Sequence, residues 1–170
     1  MDALDVPSAD RLTAPARSIE TAMATEDRSA VRLACAAFLT HAAAFYNVGA
    51  PPVRVLAARP IQVREGGWGT ELFGDYDPQT KVIRVWLRTA ILKQVTSFGI
   101  FLSTLCHEFC HHLDYELFGF QDSFHTRGFY ERAAVLYHHA RGTPRRQLVW
   151  IPMRQGRWRI NWARTNRGNR

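Results

Sequence analysis

From Ser97 to Phe118 the chain repeats apolar side chains at helical spacing (Phe98, Phe101, Leu102, Leu105, Phe109, Leu113), and Gly119 follows where a helix C-cap is expected. Such a run predicts a helix buried along one side, so the remaining segments have to supply the layer it packs on. His107-Glu108-Phe109-Cys110-His111 lies inside this run. Residues four apart share a helix face about 6 Å apart, so both imidazoles reach one ion while Glu108 borders an open coordination position. That arrangement suits Zn²⁺. A metal held by histidines with a vacant site brings the pKa of a bound water toward 7, and a neighbouring carboxylate can take its proton as it attacks a carbonyl. Peptide-bond hydrolysis by a metal-activated water, with Glu108 as general base, is the reaction class this pattern serves best.

A catalytic zinc site needs three protein ligands. His125 is the expected third, fourteen residues after His111 in Ser123-Phe124-His125-Thr126-Arg127-Gly128-Phe129, between the central helix and the next one. Glu131, Asp122 and His138 are its competitors. Asp114 falls three residues beyond His111 on nearly the same face, placed either to accept a hydrogen bond from a ligand histidine or to pair with an arginine. His112 is rotated by about 100° from His111 and should miss the ion. Cys106 and Cys110 read as small buried hydrophobes, His138-His139 as a cationic helix end, and Tyr76 as a turn residue shielding a hairpin.

With 170 residues and 19.4 kDa, the chain has room for one core. Residues 1–26, with Pro7, Pro15 and scattered acids, read as a mobile lead-in outside that core. A first helix is predicted from about Asp27 by Val31, Cys35, Phe38, Leu39, Ala42 and Phe45, stopped by Gly49, Pro51 and Pro52. Val53 and Val55 open a strand that Ile61 and Val63 extend or follow; Gly66-Gly67-Trp68-Gly69 is loop. Thr70–Phe73 and Lys81–Leu87 are expected to pair as an antiparallel hairpin around Asp75–Thr80. A third helix spans about Thr126–Ala140, and the alternation of Trp158, Ile160 and Trp162 with Arg157, Arg159 and Asn161 predicts a strand or hairpin. The expected fold class is α+β: a three- to four-stranded, mainly antiparallel sheet packed on the motif helix with flanking helices. Residues 27–142 would form the domain and 143–170 an Arg/Trp-rich basic segment.

The net charge of +7 is concentrated at one end. Residues 141–170 hold nine Arg and no Asp or Glu, while the first 140 carry 13 basic against 15 acidic groups. This pattern fits contact with nucleic acid or an acidic partner, against the plainer reading of a strand that buries its tryptophans and turns its arginines to water. No apolar run approaches the roughly 18 to 20 residues of a membrane span, and the first residues lack the layout of a secretory signal. Three cysteines are too few and too odd in number for a disulfide framework. Together these predict a cytoplasmic protein with no membrane partner, and the motif predicts a protein or peptide substrate; oligomeric state stays open.

The combination of His107, Glu108 and His111 with a later His125 and Phe129, preceded by a helix and a small sheet, resembles the zincin metallopeptidases, and among them the small SprT-like and related minimal gluzincin-type proteins. The resemblance covers roughly residues 28–140. It implies a zinc peptidase fold with Glu108 as general base, His125 as third ligand, and a sheet edge, in Lys81–Leu87 or Gly69–Tyr76, that takes an extended peptide as an added strand. The chain departs from SprT-like proteins in carrying His112 and Asp114 directly after the motif and in lacking a C-terminal Cys-rich zinc ribbon. The alternative from another class is a nucleic-acid-associated binding protein, with a structural or vestigial zinc site, acting through its basic tail.

Overall fold

A computed structural model describes residues 4–8, 10–63, 66–67 and 69–167. The fold is α+β. Helices α1 (Asp10–Ala24) and α2 (Arg28–Tyr46) precede strands β1 (Val53–Ala58), β2 (Ile61–Val63), β3 (Gly69–Glu71), β4 (Gly74–Asp77) and β5 (Val82–Arg88). Helices α3 (Phe98–Glu116) and α4 (Arg127–Arg141) follow, then β6 (Trp150–Pro152), a 3₁₀ turn (Arg154–Gly156), β7 (Trp158–Ile160) and a short α5 (Trp162–Arg167). The central sheet has the order β1-β5-β4, with β1 parallel and β4 antiparallel to β5. Ile83, Val85 and Leu87 of β5 and Val53 and Val55 of β1 alternate into the core, the period a half-buried sheet requires.

The site helix is fixed at both ends and along its buried side. Ser97 caps α3 by accepting from the Ile100 N–H, and the chain turns out of the helix at Gly119, whose φ of +65° suits glycine. Phe101, Leu102, Leu105, Phe109 and Leu113 are buried, so the helix lies against β4, β5 and α4. Thr126 caps α4 through the Phe129 N–H, and Gly142 closes it in the left-handed region. Phe129 is fully buried against the α3 histidines, which returns the start of α4 to the motif.

Residues 1–26 depart from the expected lead-in. Leu12, Ala16, Ile19 and Met23 of α1 repeat at helical spacing, are all buried, and pack on α2 and α4; Leu4 joins the same core. Pro15 and the sparse large apolar residues disguised a stripe that four positions suffice to define. Asp5 is tied in as well, its carbonyl accepting from the Tyr46 hydroxyl at 2.7 Å. Residues 1–3 lie outside the described residues. Helix α2, contrary to expectation, is long and apolar enough by length and composition to cross a membrane, but Val31, Cys35, Phe38, Leu39, Ala42 and Ala43 of its stripe are buried in this fold.

The hairpin register also differs. Thr70 pairs with Gln62 in a separate ribbon, and the partner of β5 is Gly74–Asp77, a stretch expected to be partly turn. Asp77 decides this, because its carboxylate accepts from the Gln79 N–H at 2.9 Å and the Thr80 hydroxyl at 2.8 Å, closing the turn after the strand. Trp68 lies outside the described residues. In the C-terminal segment β6 and β7 do form a hairpin, but the alternation expected through Trp162 ends at Ile160, where the chain enters α5, and the expected burial of the tryptophans fails: Ile160 is buried while Trp158 in β7 and Trp162 in α5 are 47% and 56% exposed.

Candidate metal centre

His107 and His111 stand one turn apart on α3, with ring centroids 5.0 Å apart, and His125 reaches them from the segment before α4. Their Nε2 atoms converge: His125 Nε2 lies 2.9 Å from His107 Nε2 and 3.0 Å from His111 Nε2. Among the described residues this is the one group of three or more His, Cys, Asp or Glu able to hold a metal ion together. Nitrogens bound tetrahedrally at about 2.0–2.1 Å stand roughly 3.3 Å apart, so the three donors need only small outward shifts to fit a zinc ion. Three imidazole nitrogens facing one another are more simply satisfied by a shared cation than by the few protons they can exchange.

Electrostatics keeps these rings neutral. Burial, and then the neighbouring histidines, lowers the pKa of His107 to about 3 and that of His111 to about 4, and burial lowers that of His125. All three are therefore neutral near pH 7, the form that coordinates. Glu108 is 6% exposed in the same cleft; burial, and secondarily the nearby Asp75, raises its pKa to about 8. A cation at the histidines would favour its carboxylate form.

A cleft of about 310 Å³ opens over the group, walled by β4 (Gly74, Asp75, Tyr76), by His107, Glu108 and His111 of α3, and by Ser123 and His125. β4 is an edge strand, so one side of its backbone has no partner within the central sheet, and Gly74, Asp75 and Tyr76 of this strand line the cleft. Gly74 brings the strand close: a Cβ there would lie 2.6 Å from Thr104 Cγ2 and 3.1 Å from Glu108 Cγ.

The other expected residues divide as follows. Asp114 does not bond a histidine directly; it accepts from Ser123 Oγ at 2.6 Å and from Arg132 Nη2 at 2.6 Å, and Ser123 Oγ stands 2.6 Å from His111 Nδ1. His112 turns away from the cluster, as its rotation predicts, with Nε2 2.8 Å from the Gly49 carbonyl and Nδ1 3.1 Å from the Tyr76 hydroxyl. Tyr76 stacks on Tyr115, and burial pushes its pKa up to about 12, so it remains a hydroxyl donor. Glu131 is taken by Arg145 and the Trp150 indole, His138 stands beside the Thr143 hydroxyl, and Asp122 is exposed outside the metal-capable group. Cys35, Cys106 and Cys110 are buried free thiols.

Sequence reasoning missed Ser123, Arg132, Gly74 and Tyr130. Ser123 stands two residues before His125, but its partners are 9 and 12 residues away, beyond any local pattern. Tyr130, whose ring centroid is 5.6 Å from that of His125 and 6.0 Å from that of Trp150, joins the histidines to the C-terminal hairpin. No protein-family model, curated protein or solved structure matches the chain.

Proposed function

We propose that the protein is a zinc-dependent metalloendopeptidase of the zincin type. The observation that carries the reading is the convergence of three histidine Nε2 atoms beside a buried Glu108 in one cleft bordered by a free sheet edge. His107, His111 and His125 would hold the ion, which when bound supplies Lewis acidity and a water that ionises near neutral pH. The chain's own groups perform the remaining steps. An extended peptide adds to the outer edge of β4 as a further strand, which sets its carbonyl across the cleft from Glu108. Glu108 takes a proton from the attacking water as the new C–O bond forms, and delivers it to the amide nitrogen as the C–N bond breaks.

The test is elemental analysis of wild type beside His107→Ala, His125→Ala and Glu108→Gln, with casein cleavage measured on the same samples. The expected result is one zinc per chain, lost with either histidine but retained in an inactive Glu108→Gln. A folded wild type that stays metal-free after zinc loading would overturn the reading.

A second reading, association with nucleic acid, draws on the C-terminal hairpin. Trp150, Trp158, Trp162, Tyr130 and Arg159 wall a cleft of about 470 Å³, and the Arg127 guanidinium lies 5.3 Å from the ring of Trp150 and 4.9 Å from that of Trp158. Exposed indoles beside guanidinium groups offer stacking surfaces and phosphate partners together. Binding of a fluorescent single-stranded oligonucleotide that weakens with salt and with Trp158→Ala would support it; salt-independent binding, or none, would not.

A further inference from the structure

We infer that Ser123 is a positioning residue that fixes the tautomer of His111 through Asp114 and Arg132, and so preforms the metal centre in the metal-free chain. The inference rests on the metal-centre reading above. It follows from where protons can go. Asp114 is buried and ion-paired with Arg132 Nη2 at 2.6 Å, so its carboxylate can only accept. Ser123 Oγ has a single proton and lies 2.6 Å from Asp114 Oδ2, so that proton points to Asp114. The serine oxygen then faces His111 Nδ1 at 2.6 Å with lone pairs alone, and Nδ1 has to be the donor. A neutral ring protonated at Nδ1 carries its free lone pair on Nε2, the atom that meets His125.

The carboxylate end of this chain is itself held rigidly. The Arg132 guanidinium sits 5.1 Å from the ring of Phe118 and 6.0 Å from that of Phe120, and these rings stack at 5.6 Å. The Phe120 N–H donates to the Asp114 carbonyl at 2.9 Å. The segment from α3 to α4 is thus wrapped around the buried ion pair, and Ser123 pins it two residues before His125. Among the described residues His107 and His125 make no comparable bond through Nδ1, so His111 is the ring whose outer nitrogen is anchored. One hydroxyl thereby acts on two ligands, on His111 directly and on His125 through the backbone.

The experiment compares metal-free wild type, Ser123→Ala and Ser123→Thr, with imidazole nitrogen and carbon correlations read by NMR at neutral pH, followed by zinc titration against a competing chelator. The expected wild-type spectrum shows His111 protonated at Nδ1 and bare at Nε2. Ser123→Ala should lose that preference and bind zinc about 10- to 100-fold more weakly. Ser123→Thr, which keeps the hydroxyl, should restore both. An alanine variant with an unchanged His111 tautomer, or with wild-type zinc affinity, would overturn the inference. Because the tautomer is read without metal, a wild type that shows the Nδ1-protonated ring yet binds no zinc would refute the peptidase reading while leaving the hydroxyl's control of His111 standing.

Discussion

A methyl group at Gly74 tests how Glu108 is held. The strand passes so close to α3 that the Cβ of Gly74→Ala would meet Thr104 Cγ2 at 2.6 Å, with Glu108 Cγ and the Arg84 carbonyl both at 3.1 Å. Thr104 cannot swing aside cheaply, since its hydroxyl bonds the Ile100 carbonyl at 3.0 Å and its χ1 is restricted by branching. The Arg84 oxygen belongs to β5, to which β4 is paired, so the strand has to move away from the helix as a unit. Overpacking of this kind costs about 1–3 kcal/mol. In a chain of 170 residues that corresponds to roughly 2–12 °C in Tm. Displacement by about 1 Å at the carboxylate and at the β4 edge would lower the rate of the proposed peptide cleavage on the order of 100-fold. Zinc content should not change, because the added methyl meets no histidine. The assay is a thermal melt, zinc analysis and peptide cleavage on Gly74→Ala, on Thr104→Ala and on the double variant. Removing Thr104 Cγ2 should recover much of the lost stability but only part of the rate, since the contact with Glu108 Cγ persists. Gly74→Ala with wild-type Tm and rate would refute the argument that this close approach positions Glu108.

Ile19→Ala, at a fully buried α1 position, should cost roughly 2–5 kcal/mol by denaturant unfolding; no loss would mean that α1 is dispensable to the core. Asp114→Ala breaks the buried ion pair that its carboxylate makes with Arg132 Nη2 and should cost about 3–5 kcal/mol, read from the same unfolding curves. The metal-free protein should lose stability as pH falls from 6.5 toward 4, because the unfolded chain takes up protons at His107 and His111 that the folded rings, with pKa near 3 and 4, refuse. Glu108, with its folded pKa near 8, holds a proton the unfolded chain releases above 4.5 and so offsets part of this slope. Glu108→Gln should therefore steepen the decline between pH 6.5 and 4.5 by up to about 1.4 kcal/mol per pH unit, and parallel urea-midpoint profiles would contradict that assignment.

What the sequence determined by itself is what depends on neighbours within a helical turn or two. The stripes of α2 and α3, the approximate extent of α4, the turn out of α3 at Gly119, and the shared face of His107, Glu108 and His111 all follow from local spacing and local residue chemistry. Approach of His125 to that face was legible too, since a short connection and a buried Phe129 constrain where α4 begins. Tertiary structure alone decided the rest. It placed α1 in the core, set β1 parallel to β5, moved the hairpin partner to Gly74–Asp77, and turned Trp158 and Trp162 outward. It also joined His111 to Ser123, Asp114 and Arg132, and set Gly74 against Glu108. Those outcomes depend on which surfaces meet after the chain has folded back on itself. Short-range periodicity carries no term for contacts between residues tens of positions apart, whereas packing at van der Waals distance decides them.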